Sequence, residues 1–162
     1  MKKIISLVML LLSLQLKAAA PGSSIGFELD ALQGDQKIKL ADYKGKVVFV
    51  DFWASWCGPC KQSLPEFNKV YNTYKDMGFE IIAINLDENP EDAKAFLKKT
   101  PVDYTIAADA SGSIAEKFGV EAMPSSVLID QKGVIRVNHK GYRSGDAKKL
   151  EKAIKMLLGG KS

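Results

Sequence analysis

Lys46-Val47-Val48-Phe49-Val50-Asp51-Phe52-Trp53 runs directly into Ala54-Ser55-Trp56-Cys57-Gly58-Pro59-Cys60-Lys61, and the reading of the chain turns on this join. The first half is β-branched and aromatic with a single acid, the pattern of a strand covered on both faces. From Pro59 to Asp76 the apolar residues Leu64, Phe67, Val70, Tyr71 and Tyr74 recur at helical spacing, and Met77-Gly78 closes the run. Both cysteines of the chain, Cys57 and Cys60, therefore fall where a buried strand turns into a helix.

That placement has chemical consequences. A cysteine at a helix N-terminus meets free backbone N–H groups and the positive end of the helix dipole, which favour thiolate over thiol. Cysteines three apart in a first helical turn bring their sulfurs within bonding range, so that one can attack a disulfide and the other can resolve the mixed disulfide. Pro59 supplies a fixed φ for the helix start and has no N–H to leave unpaired. Competing readings are weaker. A zinc site needs about four ligands, and two cysteines plus the lone His139 cannot supply them. A structural disulfide closing so short a loop restrains about 2 kcal/mol, against roughly 3 for a 15-residue loop.

Downstream, Phe79–Leu86 reads as a second buried strand. Asn89-Pro90 opens a helix that continues to about Lys99, with Glu91 and Asp92 in its first turn. Tyr104–Ala107 reads as a short strand and Gly112–Phe118 as a short helix closed by Gly119. Ser125–Asp130 and Val134–His139 form a hairpin around Gln131-Lys132-Gly133, and Ser144–Leu158 a terminal helix. Upstream, Ile25–Leu29 and Lys37–Leu40 flank a Gly34-Asp35 turn, a second hairpin. Alternating strands and helices predict an α/β domain with a mixed central sheet. His139 falls late in an edge strand and gives little support to a metal site. Lys148, Lys149, Lys152 and Lys155 mark the solvated face of the last helix.

The N-terminus reads differently. Met1-Lys2-Lys3 is basic, Ile4 to Leu16 is apolar apart from Ser6, Ser13 and Gln15, and Ala18, Ala19 and Ala20 are small. This is the order of a secretory signal peptide, assigned to residues 1–18 with cleavage between 18 and 20; an uncleaved anchor is the alternative. Residues 19–24 read as a flexible leader and 25–160 as the domain. Beyond the leader peptide 20 bases face 19 acids, so the basic balance of the chain is a targeting feature and gives no warrant for a nucleic-acid partner. Export with only two cysteines argues against a disulfide scaffold.

Val50 to Lys61 resembles the active-site segment of thioredoxins. The exported setting, the leading hairpin, the Asp42-Tyr43-Lys44-Gly45-Lys46 approach and the long central region resemble more closely the TlpA/ResA branch of exported thioredoxin-like proteins, over residues 25–158. The resemblance implies a thioredoxin fold with an N-terminal β-hairpin and a central insertion. It implies Cys57 as the exposed attacking thiol, Cys60 as the buried resolving thiol, and Asp51 as a carboxylate that moves the resolving cysteine's proton. A carboxyl among apolar neighbours has a raised pKa and can act as a base near neutral pH. Met123-Pro124 matches the family's cis-proline loop, whose backbone would pair with an extended substrate. Trp56, Gly58 and Pro59 would complete the substrate surface, with Trp56 shielding the disulfide and Trp53 packing in the core.

The chain departs from that pattern in two places. Ser63 stands where TlpA/ResA-like proteins often carry a glutamate, with Glu66 one turn further. Asp51 is the thioredoxin-like choice where many exported relatives are neutral. The implied activity is an extracytoplasmic thiol–disulfide oxidoreductase, acting as a reductase, with no cofactor beyond the Cys57–Cys60 pair and no metal. Implied partners are cysteine-containing exported proteins, apocytochrome c or its maturation factors among them, and a membrane-borne thiol donor; a monomer is expected. Ser63, Met123 and the surface around Trp56 are expected to select the partner. A peroxiredoxin-like thiol peroxidase and a non-enzymatic adaptor are the alternatives.

Overall fold

A computed structural model describes residues 19–159; the signal-peptide assignment of residues 1–18 lies outside the described residues. Among the described residues, seven strands and four helices follow in the order β1 (Glu28–Ala31), β2 (Lys37–Lys39), β3 (Val47–Trp53), α1 (Cys60–Tyr74), β4 (Phe79–Asn85), α2 (Pro90–Lys99), β5 (Thr105–Ala108), α3 (Ser113–Lys117), β6 (Ser125–Ile129), β7 (Ile135–Lys140) and α4 (Asp146–Leu157). All seven strands join one sheet in the order β2-β1-β5-β4-β3-β6-β7. β3 lies near its middle, parallel to β4 and antiparallel to β6, with Asp51 opposite Ala83 on one side and Ser126 on the other. Every residue of β3 is buried, as its unbroken β-branched and aromatic run predicts.

Two cores sit on the two faces of the sheet. Val47, Phe49 and Trp53 of β3 pack with Leu64, Phe67, Val70 and Tyr74 of α1 and with Leu150 and Ile154 of α4. The alternate residues Val48, Val50 and Phe52 pack with Ile82, Ile84, Phe27, Ala115 and Phe118 on the other face. The period-2 alternation of a strand thus feeds both layers. α1 gives way to a single 3-10 turn, Lys75–Met77, and Gly78 at φ +93° ends it in a conformation that side chains resist.

The expected hairpin is present, with β1 and β2 antiparallel, but its first strand starts at Glu28 and not at Ile25. Ile25 and Phe27 are apolar because they pack on the second core, where the Phe27 and Phe118 rings lie 6.1 Å apart, and not because they pair. The central insertion is realised as α2 and β5. β5 extends the sheet beyond β4 and receives β1 antiparallel.

Residues 19–24 differ from the loose leader expected of them. Ala19 is buried, Gly22 N–H donates to Ile135 O at 2.7 Å, Ile135 N–H donates to Ser23 O at 2.9 Å, and Asn138 Nδ2 donates to Ala19 O at 2.8 Å. This segment therefore lies along the outer edge of β7.

Candidate active site around Cys57 and Cys60

β3 delivers the chain to the site. After Trp53 a turn closed by Cys57 N–H donating to Ala54 O (3.1 Å) carries Ser55 and Trp56, and α1 begins at Cys60. The structure joins Cys57 and Cys60 in a disulfide with Cα atoms 5.3 Å apart. Two sequence expectations need adjustment. Cys57 precedes the helix by three residues, and Pro59 is its N-cap rather than its first residue. Cys60 N–H, the first amide of α1, still points at Cys57 Sγ, 3.3 Å away. The amide end of the helix faces the sulfur.

The two sulfurs are unequal. Cys57 lines a groove with Trp56, Gly58, Pro59, Leu86, Ala115, Val120, Glu121, Ala122 and Met123, whereas Cys60 is wholly enclosed. In the disulfide Cys57 is itself only 4% exposed, less open than expected, because its partner sulfur and the groove walls surround it. Trp56 is 68% exposed at the groove's rim, while Trp53 is fully buried against Phe96, ring centroids 5.4 Å apart. Trp53 thus packs in the core, as expected of it.

Met123–Pro124 is a cis peptide, and Met123 lines the same groove as Cys57. Pro124 itself is buried behind it, its carbonyl accepting from Gly141 N–H at 2.7 Å, so Met123 rather than Pro124 meets the groove. Ser63 overturns its expected role in partner choice. It is completely buried, its hydroxyl donating to Cys60 O at 3.3 Å. Glu66 is on the surface and pairs with Lys69 at 2.6 Å.

Asp51 shares a face of β3 with Phe49 and Trp53, the face packed by α1. It is 1% exposed, and among the described residues neither carboxyl oxygen has a hydrogen-bond partner. Burial pushes its pKa well above the usual carboxylate range. Tyr104 lies close enough to feel it. The Tyr104 hydroxyl, pushed up by burial and then by the Asp51 charge, donates to Leu64 O in α1, one turn beyond Cys60.

Sequence reasoning missed a further set of residues. Asp87 and Asn85, at the end of β4, are buried and hydrogen-bonded to each other, and Asp87 also binds Ser55. A polar pair following the apolar run Ile81-Ile82-Ala83-Ile84, Asn85 and Asp87 around Leu86, was the available signal. No helix among the described residues is long and apolar enough to cross a membrane. Among the same residues no three His, Cys, Asp or Glu side chains are grouped to hold a metal ion.

Comparisons with known proteins agree with this geometry. The Redoxin family model matches residues 16–154. The thiol-disulfide oxidoreductase ResA of Bacillus thuringiensis subsp. konkukian is 38% identical over 131 residues, 81% of this chain and 74% of the relative. ResA of Halalkalibacterium halodurans is 32% identical over 76% of this chain and 70% of its own length. Among solved structures, a putative thiol:disulfide interchange protein DsbE from Chlorobium tepidum superposes with a TM-score of 0.83 at 41% identity, covering 88% of this chain and 100% of that one. The chain has the thioredoxin-like fold, belongs to the Redoxin family, and is a thiol–disulfide oxidoreductase of the ResA kind.

Proposed function

We propose that this protein is an extracytoplasmic reductase of protein disulfides, in which Cys57 attacks and Cys60 resolves. The observation that carries the assignment of roles is the inequality of the sulfurs: Cys57 borders the groove and Cys60 is sealed behind it. In the dithiol state, Cys57 as thiolate attacks one sulfur of a substrate disulfide. A mixed disulfide forms and the other substrate sulfur leaves as thiolate. Asp51 accepts the Cys60 proton, and the Cys60 thiolate then attacks Cys57 Sγ. The second substrate sulfur is expelled, and the proton passes to it through solvent or Asp51. Two electrons have moved from the protein to the substrate, and the enzyme is left as the Cys57–Cys60 disulfide.

Asp51 suits this role because burial raises its affinity for a proton above that of an ordinary carboxylate. Gly58-Pro59 between the cysteines is the thioredoxin dipeptide, and thioredoxin is reducing at about −270 mV. The groove offers apolar walls and the Met123 backbone to an extended cysteine-containing segment, with Trp56 over it. Apocytochrome c and its maturation factors belong to the class of substrates this would accept. Residues 1–18 as a signal peptide direct the domain to an oxidising space, where a membrane-borne thiol donor must restore the dithiol. Equilibration with a glutathione redox buffer tests the direction. A potential near that of thioredoxin supports a reductase, and one near about −120 mV, the range of strong oxidants, overturns it.

A further inference from the structure

The turn that presents Cys57 is tied to the end of a neighbouring strand. Asp87 is 4% exposed, and its carboxylate takes three hydrogen bonds: from Ser55 N–H at 2.9 Å, from Ser55 Oγ at 2.8 Å and from Asn85 Nδ2 at 2.6 Å. Asn85 Oδ1 accepts in return from Asp87 N–H at 3.1 Å. Asn85 is buried at the last position of β4, directly opposite Trp53 of β3. Leu86 N–H donates to Trp53 O at 2.9 Å, and Leu86 is a groove wall. A single residue, Trp56, separates Ser55 from Cys57.

We propose that Asp87, braced by Asn85, is a positioning residue for thiol–disulfide exchange: by gripping both the backbone and the hydroxyl of Ser55 it fixes the turn that sets Cys57 Sγ against the first amide of α1. Buried charge-assisted hydrogen bonds are strong and directional. The negative charge itself, by contrast, disfavours a nearby thiolate. The two possible actions of Asp87 therefore differ in sign. If Asp87 acts by position, removing it lets Cys57 drift from the Cys60 amide, and the thiolate is destabilised. If it acts only as a nearby negative charge, removing it stabilises the thiolate. The inference rests on the exchange chemistry alone, not on its direction or compartment.

The pH dependence of iodoacetamide alkylation at Cys57 in the reduced protein, together with the equilibrium constant against glutathione, reads the difference. Asp87→Ala should raise the proton affinity of Cys57 by about threefold to tenfold and shift the glutathione equilibrium toward the protein disulfide. Ser55→Ala should produce a smaller shift in the same direction in the wild-type background and none in Asp87→Ala, because the two act through one contact. Asp87→Asn, which can still accept from Ser55, should lie nearer the wild type than Asp87→Ala does. An unchanged or lowered proton affinity in Asp87→Ala, or equal Ser55→Ala effects in both backgrounds, overturns the proposal. Should Asp87→Ala fail to fold, Ser55→Ala alone decides, and no upward shift there overturns it. A wild-type protein that does not exchange with glutathione would instead sink the activity itself.

Discussion

Asp51 and Trp53 stand two residues apart on the same face of β3, and among the described residues neither the carboxyl oxygens nor the indole N–H finds a hydrogen-bond partner. Two orphaned polar groups side by side in a strand otherwise made of hydrocarbon are a standing cost to the fold. Asp51 is the more consequential, since its protonation decides how large that cost is.

A native pKa above the unfolded value means that the native state keeps a proton which the unfolded state has released. Stability therefore falls as pH rises through the interval between the unfolded carboxylate value and the raised native one. Asp51→Asn should abolish that loss. Its stability should match the wild type in acid and exceed it increasingly toward neutrality, by up to about 1.4 kcal/mol for every tenfold gain in proton affinity that burial confers on Asp51. The same variant should slow exchange by about two orders of magnitude through loss of a proton acceptor. Denaturant titrations across the acid to neutral range, paired with exchange kinetics, check both halves.

Mixed-disulfide trapping separates the cysteines. Cys60→Ala should accumulate covalent adducts on Cys57, since the resolving step is gone. Cys57→Ser should accumulate none, because Cys60 is enclosed behind the groove. Non-reducing gels with mass spectrometry of the captured species would show it, and adducts on Cys60 in the second variant would contradict this division of labour between the sulfurs.

The two tryptophans should respond in opposite ways. Trp53→Ala removes a fully buried ring packed on Phe96 and should cost about 3–5 kcal/mol. Trp56→Ala touches an exposed ring and should change stability by no more than about 0.5 kcal/mol. It should instead raise KM for protein substrates while sparing reaction with glutathione, which is too small to span the groove. Melting curves and the two rate measurements distinguish these effects.

Asp146 begins α4 and accepts from Arg143 N–H at 2.7 Å, Lys149 Nζ at 2.9 Å and His139 Nε2 at 3.0 Å. Burial works against its charge, but the Lys149, Arg143 and His139 hydrogen bonds outweigh it and hold its pKa below the usual value. A lowered native pKa gives stability that is present above the ordinary carboxylate range and lost as pH falls below it. Asp146→Ala should cost about 1–3 kcal/mol at neutral pH, and the deficit should shrink in acid, as measured by denaturation at both pH values.

The sequence disclosed the parts of this protein governed by local pattern. The Lys46–Trp53 run became β3 within one residue, and Gly78 stopped the helical segment where its position suggested. Burial of Asp51 was legible from its apolar flanks. Long-range contacts were not. The resemblance put Ser63 among the partner-selecting positions, yet the α1 turn directs it inward to Cys60 O. Ile25 and Phe27 alternate like a strand but are held by α3 and the sheet's second face. Asp87 went unnoticed because its partner Ser55 lies 32 positions away. Nothing in a window of sequence announces a hydrogen bond of that reach.

The segment from Ala19 to Ser23 also has a bearing on solubility. β2 and β7 are the outer strands of the sheet, and an uncovered outer strand offers its amides to any passing chain. β2 is only three residues long, with Lys37 and Lys39 on either side of Ile38. At β7, Gly22 and Ser23 occupy the N–H and C=O of Ile135, and Ala19 lies over Asn138. Clipping this short stretch should leave the redox centre untouched and free the Ile135 N–H and C=O at the start of an outer strand, where an unpaired backbone group can meet another chain.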